Sequence, residues 1–127
     1  MHWSDRYVGQ DYIADTADCA VLACAVAREV LGRDIQLPGE RRPGPFGRNA
    51  QIRQYQDAFA RHVDAPLDAQ PVLLLARGRA QHIGVMCHLA SEWWVLHADE
   101  AAGFVLRQRL RELPRQGYTV EGFYEWL

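Results

Sequence analysis

Two hydrophobic periods divide the chain. From Asp18 to Leu31 the residues are Ala-, Val- and Leu-rich, with Asp18 placed as an N-cap and Gly32 as the stop, which predicts a helix. This stretch is apolar nearly all round until Arg28, so the helix is expected to be central and buried. Pro and Gly punctuate Leu37 to Pro45 as a loop, and the spacing of Ile52, Tyr55, Phe59 and Val63 predicts a second, surface helix over Asn49 to His62. The second half then changes to strand signals. Val72 to Ala76 reads as a buried strand, and His82 to His88 with Trp93 to Ala98 reads as the two arms of a hairpin. Phe104 to Leu106 reads as a short strand, Arg107 to Leu113 as a short helix before Pro114, and Gly117 to Leu127 as a closing aromatic strand. Helices first and an antiparallel sheet afterwards give an α+β order.

Composition narrows the picture. The 127 residues are 49% hydrophobic and 24% charged, the balance of a globular chain, and the length predicts one domain over residues 1–127. The net charge of −2 argues against a nucleic-acid binder held by phosphate neutralisation. All 14 basic residues are Arg, a usage suited to bidentate anion recognition but equally produced by GC-rich codons. No apolar run approaches the roughly 18 residues of a membrane helix, and Met1 to Asp5 shows no basic stretch leading into an apolar one, so neither membrane insertion nor a secretory leader is expected. Three cysteines, an odd number, imply no disulfide framework and leave room for a reactive thiol.

Cys19 falls at the first turn of the predicted central helix, where the positive end of the dipole and unbonded N–H groups favour a thiolate, the form that attacks carbonyl carbon. Cys24 lies about 140° further round the helix and reads as core. His82 begins one hairpin arm and His97 ends the other. A pairing that sets them directly opposite, with a tip such as His88 to Ser91, brings their Cβ atoms within about 4.5–5.5 Å on one face, whereas a one-residue slip separates them. Cys19, His82 and His97 thereby make a nucleophile, a base and an orienter. Cys87 and His88 are adjacent on a strand and face opposite sides; no zinc spacing and no phosphate loop stands out, so no metal and no cofactor are expected.

Tyr12 to Cys19, then His82-Ile83-Gly84-Val85, then Val95-Leu96-His97-Ala98, resembles the NlpC-type cell-wall cysteine peptidases, and more closely the short branch found among phage tail assembly proteins. Members of that branch also carry a Leu-Gly after the cysteine helix, as Leu31-Gly32 does, and close on a Gly-aromatic-aromatic strand, as Gly122-Phe123-Tyr124 does. The resemblance spans roughly Tyr7 to Trp126. It implies a papain-like core in which N-terminal helices, the catalytic Cys at one helix N-terminus, pack on an antiparallel sheet. It implies Cys19 as nucleophile, His82 as base, His97 as third polar residue, and Tyr12 as the tyrosine whose hydroxyl lies beside the nucleophile. The chain departs from the family at Ala14 to Ala17, where Gly-Gly is usual, and at Ala20-Val21, where Ser-Gly or Trp-Gly is usual; lost glycines restrict backbone approach of a substrate.

The expected function is hydrolysis of peptidoglycan stem peptides. A domain of this length leaves no room for a wall-binding module, so the chain is expected to be made in the host cytoplasm and to reach the wall in a virion, among other phage tail-tip proteins. The alternatives are a structural tail-tip subunit with weak or no catalysis and an amidase or acyltransferase on the same scaffold.

Overall fold

The structure is a computed structural model and describes residues 2–13, 19–35, 59–76 and 80–127. Asp18 as N-cap, the Leu37 to Pro45 loop and the 49–58 part of the second predicted helix lie outside the described residues.

Among the described residues, the chain from Ala60 onward supplies most of the architecture. Its strands are β1 (Ala60–Val63), β2 (Pro71–Ala76), β3 (Ala80–Leu89), β4 (Glu92–Asp99), β5 (Phe104–Arg109) and β6 (Tyr118–Trp126). They form one six-stranded sheet in the order β1-β6-β2-β3-β4-β5, with every pairing antiparallel. β2 to β5 run as a meander. A 3-10 helix, Leu110–Gln116, then carries the chain back so that β6 enters between β1 and β2. Gly117 ends that helix at φ 85°, a left-handed conformation that favours glycine, and its N–H bonds back to the Leu113 and Pro114 carbonyls.

Strand alternation separates two cores. Leu73, Ile83, Val85, Cys87, Leu96, Ala98 and Val105 face one side, where they pack under α1 (Cys19–Val30) through its buried stripe Leu22, Ala23, Val26 and Ala27. Val72, Leu74, Met86, Val95 and Leu113 make a second cluster on the other side, the side crossed by the Leu110–Gln116 helix. Each face buries branched aliphatics, so both sides of β2, β3 and β4 hold water out; the four residues Pro71 to Leu74 are all buried for this reason.

These findings correct the expected fold class. Among the described residues there is one α-helix, of 12 residues, and two 3-10 helices of 4 and 7, against six strands. The molecule is therefore mainly an antiparallel sheet, not an α+β papain-like core with several N-terminal helices. Two predicted helices are corrected where they are described. The second one was expected to run to His62, but after the helical Phe59 the chain enters Ala60–Val63, which pairs with Phe123–Trp126 as an edge strand, because long-range pairing outweighs a local helical period. Arg107 to Arg109 continue β5, where Arg107 bonds Ser4 and Asp5 and Arg109 bonds Glu92; only Leu110 onward turns helical, and as a 3-10 helix holding Pro114. α1 itself is also less enclosed than expected: Val21 is exposed and Cys24 only half-buried, so it covers one side of the sheet.

Candidate functional site: a histidine pair and a helix-terminal thiol

The hairpin of β3 and β4 turns through two residues, Ala90 and Ser91, with Leu89 opposite Glu92 and Val85 opposite Leu96. Continued one step, this register sets Gly84, not His82, across from His97. The expected pairing is thus shifted by two residues. A shift of two preserves the face, so the imidazoles still meet diagonally: His82 Nε2 lies 3.0 Å from His97 Nδ1. Gly84 lies across from His97 at a tightly packed point of the sheet. A Cβ there would stand 2.7 Å from Val95 Cγ1 and 3.1 Å from Val72 Cγ1, so the position between the two histidines accepts no side chain without displacement.

His97 is completely buried, and its Nε2 lies 2.7 Å from Gln108 Oε1 on β5. An amide oxygen only accepts, so His97 Nε2–H donates to Gln108. Burial lowers the His97 pKa, against the opposing effects of Gln108 and Asp99, and so favours the neutral ring. A neutral ring protonated at Nε2 has an acceptor at Nδ1. His82 Nε2–H therefore donates to it, and Nδ1 is the basic nitrogen of His82. Tyr118 covers both rings, stacked on His82 at 5.6 Å and edge-on to His97 at 5.0 Å between centroids.

Cys19 is the first residue of α1, half-buried, and packs with Tyr12 against the helix-side core. Two tethers orient α1. Its far half is held by Glu29, which accepts from Tyr7 Oη at 2.8 Å; Tyr7 meets Trp3, whose Nε1–H donates to Asp68, and Asp68 accepts the His88 N–H beside the hairpin turn. At the opposite end of the strands, the Tyr12 N–H donates to the Gly103 carbonyl at 2.9 Å in the β4–β5 turn. Cys19 precedes Glu29 by ten residues, about 15 Å of helix, so the Cys19 end of α1 lies well away from its Glu29 tether. Along β3 and β4 the histidines alternate with the residues that pack beneath α1, and they belong to the set that includes Val95 and Met86.

The structure thus brings together His82 and His97, while Cys19 packs on the helix-side core, on the other face of the sheet from the two rings. It adds two residues that the sequence reading missed. Gln108 was hidden by assigning Arg107 to Leu113 to a helix; extended as a strand after Phe104, the same residues place Gln108 on the His97 face. Tyr118 carries no local signal, since the two rings it covers lie 21 and 36 residues earlier. Of the other cysteines, Cys24 is half-buried, and Cys87 is unsuited to nucleophilic work. Cys87 is wholly buried and its thiol is pushed up to about 12, chiefly by burial. Among the described residues no cluster of three His, Cys, Asp or Glu side chains is arranged to hold a metal ion. Compared with family models, with curated proteins and with solved structures, the chain finds no match.

Proposed function

We propose that the chain is a cysteine peptidase that hydrolyses amide bonds of peptidoglycan stem peptides as a component of a phage tail. The observation that carries the catalytic reading is the proton chain Gln108–His97–His82, which makes Nδ1 the basic nitrogen of His82. The substrate class and the tail location come from the sequence resemblance at Tyr12 to Cys19, His82 to Val85 and Val95 to Ala98.

In this reading the Cys19 thiol gives its proton to His82 Nδ1 and the thiolate attacks the amide carbonyl carbon. The helix N-terminal N–H of Cys19 faces the developing oxyanion, and the Tyr12 hydroxyl is the second donor that the resemblance suggests. The His82 imidazolium, still donating through Nε2 to His97, returns the proton to the leaving amine. Water, deprotonated by His82, then releases the acyl group from sulfur. Incubating purified muropeptides with the wild type and with Cys19→Ala, and weighing the products by mass spectrometry, tests this. Fragments bearing a new amine with the wild type alone are expected. Identical products from the two proteins would end the peptidase reading.

A second reading, a structural tail-tip subunit without turnover, has one observation in its favour. Cys19 packs with the helix-side core, whereas the histidines belong by alternation to the opposite set. Alkylation separates the two readings: a thiol paired with His82 reacts with iodoacetamide along a pH profile well below the ordinary thiol range near 8.5, and an unassisted thiol follows that ordinary range.

A further inference from the structure

We infer that Gln108 is a positioning residue that sets the proton positions of both histidines, acting on His82 through His97. The amide oxygen at 2.7 Å accepts from His97 Nε2, which leaves Nδ1 of the same ring as an acceptor, and the 3.0 Å contact hands that constraint to His82. The outcome is a one-way arrangement: both rings carry their proton on Nε2, and the basic nitrogen of His82 is Nδ1. Without an acceptor at residue 108, His97 loses the partner that favours Nε2–H. It can then protonate Nδ1 and accept at Nε2, and His82 Nε2 must become the acceptor. His82 would then carry its proton on Nδ1 and lose its base. Neighbouring geometry holds the chain in line. Gln108 lies opposite Val95 and His97 opposite Leu106, so the amide and the imidazole share one face of adjacent strands. Tyr118 lies against both rings, which limits their rotation.

The proton placement stands on geometry alone, while its consequence for turnover rests on the peptidase reading. Nitrogen-15 imidazole spectra of the uniformly labelled full chain at neutral to mildly basic pH read each tautomer directly. Both histidines are expected as Nε2–H in the wild type. Gln108→Glu, which keeps an oxygen acceptor at the site, is expected to retain that pattern. Gln108→Met, of similar length and without the acceptor, is expected to populate the Nδ1–H form of His97 and of His82. A wild-type His82 protonated at Nδ1 overturns the inference, and this spectrum decides even if the methionine variant fails to fold. A folded methionine variant with wild-type tautomers overturns it too. On muropeptides, Gln108→Met is expected to lower kcat roughly tenfold with KM little changed, the worth of about one hydrogen bond, and Gln108→Glu to restore most of it. Absence of wild-type cleavage would defeat the peptidase reading and leave the tautomer result to stand or fall by the spectra.

Discussion

At the scale of single residues, the histidine pair was legible because both imidazoles interrupt otherwise apolar strands at the same end of a hairpin. What was not legible is the acceptor behind them, since Gln108 becomes a neighbour of His97 only through strand pairing. Burial of His97 has a stability consequence whose sign is fixed. Its folded-state pKa lies below the ordinary value of 6.5, so in the interval between the two the unfolded chain binds more protons than the native one. Stability is therefore full above about pH 6.5 and is lost as pH falls from there toward the folded value, with a slope of at most about 1.4 kcal/mol per pH unit. Urea unfolding followed between pH 7 and 5 checks this, with His97→Asn expected to flatten the slope over that interval. An unchanged slope in the variant would mean that other groups dominate it.

At the scale of elements, strand positions were readable and strand register was not. Pro71–Ala76, Glu92–Asp99 and Tyr118–Trp126 fall within a residue or two of their predicted bounds, because apolar runs and alternation mark them. The hairpin tip defied prediction for a chemical reason. A two-residue turn with both residues at positive φ usually holds Asn and Gly, yet here Ala90 (φ 53°) and Ser91 (φ 61°) take those conformations. The tip signal was therefore absent, and the register was set two residues off. Gly84 shows how finely that register is packed. Gly84→Ala is expected to cost about 1–3 kcal/mol, the usual cost of overpacking, through contact with Val95 and Val72. Denaturant midpoints measure it directly, and the Val95→Ala background should recover part of the loss. A neutral Gly84→Ala would show that β3 and β4 separate more readily than their side chains suggest.

At the scale of the whole molecule, the expected α+β core of N-terminal helices on an antiparallel sheet gave way to a mainly sheet architecture because pairing partners far apart in the chain decide the fate of marginal segments. Ala60–Val63 is a strand only because Phe123–Trp126 lies beside it. Protection from solvent exchange should follow this dependence. Amides of β2, β3 and β4, inside the sheet with a core on each face, are expected to exchange slowest. Those of β1, a four-residue edge with β6 as its sole strand neighbour, are expected to exchange fastest of the six strands. Equal protection of β1 and β3 would contradict that ranking.

The return of β6 between β1 and β2 also sorts the contacts by distance along the chain. Pairings within β2 to β5 close short loops, whereas β6 must find partners 42 to 66 residues earlier, and loops of that span close late. His82, His97 and Gln108 sit on three consecutive strands of the early-closing group. Assembly order thus favours a proton path that is complete before the sheet is, with Tyr118 arriving on β6 to cover rings already joined.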